Sequence, residues 1–270
     1  MSGLTFRKKA EPEQRLDLSA LIPSRLTGLS IGEIAALPIG TTKVPVCAGD
    51  LFDVTGDDPA DIRFEGGSER FDRIGEAMEG GTITVEGDVG IRCGRVMRDG
   101  RITVTGSAGA HAGSAMSGGF LSIAGDAGAH LGGVRDGETI GMSGGAIKVG
   151  GSAGERAADR LRRGTIAIMG DAGPDAGSRM IAGTLVVGGK AAGTPGRLMK
   201  RGTLILCGGA ERLSPTFLDN GLADLLILTV MARAFAAGEI GAVPFAGLSM
   251  RRLGGDTAVL GKGEIFLPVG

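Results

Sequence analysis

One short unit recurs along the stretch from Met78 to Gly209. Segments beginning at Met78, Met97, Met116, Met142, Leu161, Met180 and Met199 align, and the start number rises by 19, 19, 26, 19, 19 and 19. The single larger step marks one insertion of seven residues in an otherwise fixed period. Each unit reads approximately M-x-x-G-x-I-x-V-x-G-x-x-G-x-x-x-G. A unit this short cannot bury its own apolar face. Its copies must therefore stack, and the period outranks any local motif in fixing the fold.

Two columns of the repeat are apolar. Five residues into each unit stand Ile83, Ile102, Leu121, Ile147, Ile166, Leu185 and Leu204. Two residues further stand Val85, Val104, Ile123, Val149, Ile168, Val187 and Leu206. Apolar residues at period two describe a strand with one buried face. The Met column is expected to point inward as well. One strand and two Gly-rich corners make one closed coil, and coils stack at the strand spacing of about 4.8 Å, so seven would span roughly 30 Å. The handedness of parallel crossovers favours a right-handed coil. The expected fold is all-β: a right-handed parallel β-helix, a single-stranded solenoid of 19-residue coils.

Glycine supports this. The chain holds 52 glycines in 270 residues, against roughly 7% in average proteins. Gly87, Gly90 and Gly94 recur as Gly106, Gly109 and Gly113, as Gly125, Gly128 and Gly132, and as Gly170, Gly173 and Gly177. At a corner, glycine permits positive φ and lets stacked backbones approach closely. Ala158 and Ala192 stand at two of these positions, which suggests that closeness matters there at least as much as φ.

Three regions follow: an N-terminal segment over 1–60 that could cap the rod, the repeats over 61–210, and a C-terminal helix and cap over 211–270. In the first, Leu16, Leu18 and Ala20 alternate with polar residues, which predicts a short strand ending at Pro23. Ser30-Ile31-Gly32-Glu33 matches a capping box and predicts a helix to about Leu37. Apolar alternations at Val44 and Val46, Phe52 and Val54, and Ile62 and Phe64 read as irregular first coils. In the last region, Asp219 or Asn220 is expected to cap a helix over roughly Ala223 to Ala237, ended by Gly238. Thr257 to Leu260 and Glu264 to Leu267 are expected to form a hairpin.

Net charge is -1, which gives no bulk attraction to nucleic acid or acidic membranes. The chain has no Trp, no Tyr and nine Phe, so it lacks stacking platforms for single-stranded nucleic acid. The N-terminus has no apolar signal-peptide core. The longest largely apolar run, Leu225 to Ala232, falls short of the ~20 residues that cross a bilayer. Cys47, Cys93 and Cys207 are odd in number and lack C-x-x-C spacing, which fits buried thiols in a reducing cytosol. A cytoplasmic location is expected.

The G-x-x-G-x-x-x-G pattern lacks the Lys-Ser/Thr ending of a phosphate loop and reads as structural corners. A calcium-binding repeat needs an Asp in every unit. Here Asp88, Asp126 and Asp171 alternate with Ser107, Ser152 and Lys190, so a calcium array is rejected. One column is chemically distinctive. His111 and His130 hold the same place in the units begun at Met97 and Met116, with Arg92 one coil before and Arg156 one coil after. The two imidazoles should sit on adjacent coils, about 4.8 Å apart. A zinc pair is disfavoured because no third and fourth ligand are evident. The ladder Arg92, His111, His130 and Arg156 is either a plain polar column or a site for an anionic chain or an acidic partner surface. A second basic group comprises Arg160, Arg162, Arg163, Lys200 and Arg201. The insertion within 133–141 carries Val134, Arg135, Asp136, Gly137 and Glu138. Insertions in a strict repeat map to one face, often a binding face, so this loop is a candidate partner contact, with a solvated loop as the alternative. No nucleophile–base pair, metal-ligand cluster or carboxylate pair emerges. The residues themselves describe a non-catalytic scaffold, with an enzyme built on His111 and His130 as its rival.

The repeat M-x-x-G-x-I-x-V-x-G-D-A-G-x-x-x-G, as at Met116–Gly132 and Leu161–Gly177, resembles the C subunit of formylmethanofuran dehydrogenase. The C-terminal β-helix of the glutamate synthase large subunit shares the glycine pattern. The ending Arg251-Arg252-Leu253-Gly254-Gly255-Asp256 with Leu260-Gly261-Lys262-Gly263-Glu264 favours the dehydrogenase-type C subunit. The Ala/Arg/Gly-rich composition looks like the bacterial version, which belongs to the formyltransferase/hydrolase complex of methylotrophs. That resemblance implies a structural component of a hetero-oligomer that also holds A, B and D subunits. The complex would move a formyl group from formyl-tetrahydromethanopterin to a methanofuran-type carrier and hydrolyse it to formate. The hydrolytic metal would lie on the A subunit and formyl transfer on the D subunit, with no cofactor bound by this chain alone. The family's carrier has a glutamate-rich tail, which gives the basic ladder a candidate ligand. The alternatives are a molybdenum or tungsten formylmethanofuran dehydrogenase and a glutamate-synthase-type domain.

Overall fold

The computed structural model describes residues 2–41, 44–223 and 226–269. Its first elements are β1 (Gly3–Lys8), β2 (Leu16–Asp17), α1 (Pro23–Leu26), α2 (Ile31–Ala35), α3 (Ala48–Leu51), β3 (Phe52–Thr55), β4 (Asp58–Glu65) and β5 (Phe71–Asp72). The repeats supply β6 (Glu79–Glu86), β7 (Asp99–Val104), β8 (Phe120–Ile123), β9 (Ala146–Val149), β10 (Thr165–Ile168), β11 (Thr184–Val187) and β12 (Arg201–Leu206). The chain ends with β13 (Leu218–Ala223), α4 (Leu226–Ala237), β14 (Met250–Gly254) and β15 (Lys262–Pro268).

Nearly all the strands join one sheet of 13, in the order β13-β14-β15-β12-β11-β10-β9-β8-β7-β6-β4-β1-β3. From β6 to β12 the neighbours are parallel and the columns pair as the repeat requires: Ile102 with Leu121, Leu121 with Ile147, Ile147 with Ile166. A second ladder of single parallel bridges runs through Val89, Ala108, Ala127, Ala153, Ala172, Ala191 and Ala210. The stack is sheet-dominated and solenoid-like. Both apolar columns and the Met column are buried, and they form one cluster that runs from Leu4 to Ile265.

Strands remote in sequence extend the sheet at both ends. β1 lies parallel on β4, with Leu4 opposite Ile62 and Phe6 opposite Phe64. β15 lies parallel on β12, with Leu204 opposite Ile265. Antiparallel strands then close each end, β3 on β1 and β14 with β13 on β15. The N-terminal end is filled by aromatic rings: Phe6 stacks on Phe64 at 5.0 Å, and Phe52 meets both edge-on.

Several local expectations hold and others change. The Ser30–Glu33 capping box forms at the start of α2. The strand expected to reach Pro23 stops at Asp17, whose carboxylate accepts the Ser19 N–H and turns the chain. The helix cap at Asp219 or Asn220 does not form. Asp219 lies in β13 and its carboxylate is held by Arg251 and by the Gly221 N–H, and the described helix is Leu226–Ala237. Positions 224–225 of the expected helix lie outside the described residues. The terminal hairpin pairs β15 with β14 rather than with 257–260, which form the turn around the Asp256 carbonyl and carboxylate.

The outer face of the sheet explains where α4 goes. Six residues into each unit stand Thr84, Thr103, Ser122 and Lys148, and then Ala167, Val186 and Ile205. The last three are fully buried beneath Leu228 and Ala232 of α4 and Ile240, Val243 and Phe245 after it. The switch from polar to apolar marks where the C-terminal segment covers the sheet.

The glycine columns serve two tasks. Gly94, Gly113, Gly132 and Gly177 have φ between 60 and 70°, and Ala158 in the same column has φ 60°. That column is set by conformation and closeness together: Ala158 adopts the left-handed backbone at some strain, and an added Cβ at Gly113 or Gly132 would lie 2.3 or 2.4 Å from an isoleucine Cδ1. Gly106 has no positive φ, yet an added Cβ would lie 2.5 Å from the Gly87 carbonyl carbon. Its column holds glycine in all seven units and is set by closeness, with Gly87 at φ 118° as the one member that also needs the left-handed backbone. The Asp88, Ser107, Asp126, Ser152 and Asp171 column beside it is structural. Each side-chain oxygen accepts the backbone N–H of the matching residue one coil on, at 2.7–3.0 Å.

Candidate functional site

The distinctive chemistry sits on one corner of the stack. There three alternate positions of a unit all take positive φ: 64, 65 and 57° for Arg92, Gly94 and Val96, and 63, 63 and 54° for His111, Gly113 and Ala115. A left-handed conformation costs a non-glycine residue about 1–2 kcal/mol. The hydrogen bonds show why it persists. Arg92 N–H donates to Ala110 O of the next coil at 2.9 Å, Gly94 N–H to Ile74 O of the preceding coil at 2.8 Å, and Val96 N–H to Ser114 O of the next at 3.0 Å. Alternating the backbone this way satisfies the amides in both axial directions, so the stack over-determines the strain.

The expected ladder forms along this corner. The His111 and His130 rings stack with centroids 4.9 Å apart and planes 15° apart. Arg92, His111, His130 and Arg156 share the left-handed backbone, and Arg73 and Asp175 extend the column by one coil each way. Burial lowers the His111 pKa, and His130, Arg135 and Arg92 lower it further against an opposing pull from Glu138. Both effects favour the neutral form of the His111 imidazole.

A second polar column runs beside the first, three places further along each unit: Glu76, Arg95, Ser114, Gly133, Asp159 and Ser178. Sequence reasoning missed it. The signal was available as a position that stays polar or Gly inside a repeat of buried neighbours. Asp159 is fully buried and accepts from Arg156 Nη2 at 3.1 Å and Arg179 Nε at 2.9 Å. Burial pushes its carboxyl above the usual carboxylate range, and Arg156 and Arg160 oppose that shift. Among the described residues, the buried side-chain polar atoms without a hydrogen-bond partner are Arg92 Nε, Arg95 Nε, His111 Nδ1, Ser114 Oγ, His130 Nδ1 and Ser178 Oγ. All six belong to these two columns. Arg Nε can only donate, and hydroxyl and imidazole can do so. All six atoms are buried, so they are internal to the corner and do not face solvent.

The insertion lies against the same corner. Val134 is buried, Arg135 and Glu138 are half-buried, and Asp136 and Gly137 face solvent. Glu138 N–H donates to Arg135 O at 3.0 Å, and Arg135 N–H donates to Glu138 Oε2 at 3.1 Å. Glu138 also pairs with Arg95, and its carbonyl accepts from Arg160 Nη1 at 3.2 Å. Although burial alone would raise it, the Arg135 N–H and the Arg95 guanidinium hold the Glu138 carboxyl below its ordinary value. The second basic group splits. Arg160 belongs to this corner, whereas Arg162, Arg163, Lys200 and Arg201 are exposed at the start of the following side.

No family model matches the chain. A stretch of 88 residues is 44% identical to the C subunit of the Methylorubrum extorquens formyltransferase/hydrolase complex, covering 33% of each chain. A stretch of 94 residues is 36% identical to the C subunit of a tungsten-containing formylmethanofuran dehydrogenase of Methanothermobacter wolfeii, over 33% of this chain and 35% of that one. These alignments span about a third of the curated relatives' length. The fold carries the likeness much further. A chain in the crystal structure of the formyltransferase/hydrolase complex (FhcABCD) from Methylorubrum extorquens, in complex with methylofuran, superposes with a TM-score of 0.92. It is 42% identical, and the match covers 98% of this chain and 100% of that one. This chain belongs to the family of C subunits of that complex. The family is related to the C subunit of formylmethanofuran dehydrogenase. Among the described residues, no helix is long and apolar enough to cross a membrane.

Proposed function

We propose that this chain is the scaffold of a formyltransferase/hydrolase complex, assembled with the A, B and D subunits. The observation that carries the reading is the match over the whole chain, at 42% identity, to a chain of such a complex. In this reading the stack is a right-handed parallel β-helix, a stiff rod whose role is to hold partners and present one charged corner. The complex transfers a formyl group from formyl-tetrahydromethanopterin to a methanofuran-type carrier and hydrolyses it to formate, with the metal and both reactions on the other chains. No residue of this chain is assigned a catalytic role.

The ladder Arg92, His111, His130 and Arg156 is the binding feature in this proposal, with Val134, Arg135, Asp136, Gly137 and Glu138 as a contact loop beside it. Stacked coils repeat a donor every ~4.8 Å, a spacing that an extended chain of carboxylates can follow. The support is the row of half-buried arginines along this corner, Arg92, Arg95, Arg156 and Arg160, beside the stacked His111 and His130 rings. The ligand is the acidic tail of the carrier or an acidic partner surface.

A second reading, the C subunit of a dehydrogenase, is favoured by the 36% identity to the tungsten enzyme's chain. Purifying the tagged chain from its native host at low salt separates the two. Recovery of an amidohydrolase-like protein and a formyltransferase without redox proteins supports the first reading. Recovery of molybdopterin or iron–sulfur proteins moves the chain to the second, and recovery alone overturns both.

A further inference from the structure

The insertion is the only break in the period, and it falls on the charged corner. A solvated loop would need no contact there. Instead its turn is closed by Glu138, which also reaches Arg95 and Arg160. Arg95 lies in the unit begun at Met78 and Arg160 in the unit begun at Met142, with two units between. Glu138 therefore bridges across the coil of Ser114.

The bridge is incomplete in a specific way. Arg95 gives Nη1 to Glu76 at 3.3 Å and Nη2 to Glu138, while Nε has no partner. Glu138 spends its second oxygen on the Arg135 N–H. A carboxylate free of the turn could take Nε and Nη2 together, the bidentate geometry that makes arginine–carboxylate pairs strong. Ser114, fully buried on the same column, keeps an unpartnered hydroxyl. The chain's own carboxylate thus holds Arg95 through one guanidinium nitrogen, Nη2.

We infer that Glu138 is an internal competitor beside the ladder, which a multivalent acid bound there displaces from Arg95 of the second column and a single carboxylate does not. The inference rests on the ladder reading above. A group tethered by a short segment acts at an effective concentration in the millimolar range. A lone carboxylate must exceed that concentration to win Arg95. A chain of carboxylates already anchored at Arg92 and Arg156 meets Arg95 at a comparable effective concentration and has the better geometry. The insertion then selects ligands by valence.

The test is binding of hexaglutamate to the full-length chain by calorimetry, with hexaglutamine and acetate as comparators. Glu138→Gln keeps the side chain's size and removes its charge. It should tighten hexaglutamate binding roughly three- to tenfold, the range of a partly exposed charge-assisted hydrogen bond, and leave hexaglutamine unchanged. Adding Arg95→Gln should abolish the gain. Circular dichroism melting of each variant separates altered binding from altered folding. If the native chain binds hexaglutamate, Arg92→Gln weakens it, and Glu138→Gln binds no tighter, the competitor is refuted and the ladder stands. If neither the native chain nor Glu138→Gln binds hexaglutamate, both readings fall. Acetate, which Glu138 keeps off Arg95 in the native chain, should gain from Glu138→Gln at least as much as hexaglutamate does, and a gain confined to hexaglutamate refutes selection by valence.

Discussion

Replacing Gly106 with alanine tests whether the stack is held by close backbone approach. The added Cβ would sit 2.3 Å from Asp88 Oδ1, 2.5 Å from the Gly87 carbonyl carbon and 2.7 Å from Asp88 N. Two of these are backbone atoms of the preceding coil and cannot swing aside. The third accepts the Ser107 N–H at 2.7 Å, so any shift of Asp88 also strains an inter-coil hydrogen bond. Overpacking of this kind costs about 1–3 kcal/mol, and a weakened hydrogen bond adds about 1 kcal/mol. Together they predict a loss of roughly 2–4 kcal/mol. At about 2–4 °C per kcal/mol for a chain of this size, the melting temperature should fall by roughly 4–16 °C. Gly80→Ala is the control, because nothing lies within 4 Å of a Cβ there, and it should leave the melting temperature unchanged or slightly higher. Differential scanning calorimetry reads both. If Gly106→Ala melts with the native chain, the coils are looser than drawn and the invariant glycine column needs another cause.

The His111 shift sets a pH dependence. Its folded pKa lies below the unfolded value near 6.5 because burial and neighbouring cations disfavour the charged form. Between the two values the unfolded chain binds more protons, so stability falls as pH drops through about 6.5 and levels off below the folded pKa. His111→Asn should flatten that part of the urea-midpoint profile, and an unchanged profile would place the titration elsewhere. The thiols differ in reactivity. Burial pushes Cys93 up to about 12 and Cys207 up to about 11, while Cys47 is half-buried. At pH 8, maleimide should label Cys47 first and Cys93 only on unfolding, as peptide mass mapping would show. Early labelling of Cys93 would contradict its place inside the stack.

The equal spacing of Met78, Met97 and Met116, and of the Ile and Val columns after them, determined from the sequence that units stack in register with these residues inside. It also determined that His111 and His130 meet, because residues one period apart in a stack are neighbours whatever surrounds them. The cover over β10 to β12 was written in the change from Thr84, Thr103, Ser122 and Lys148 to Ala167, Val186 and Ile205. It stayed unread because outward positions carry no periodic signal of their own. Only the tertiary structure decided the rest. β1 and β15 join the sheet beside strands far away along the chain, and their register follows from edges left open by the repeats. Asp219 could cap a helix by its residue type, but Arg251 engages it across β13 and β14. Glu138 reaches Arg95 over an intervening coil. A periodic sequence specifies what its own period brings together, whereas partners that break the period are chosen by which unpaired edge or charge the finished stack leaves within reach.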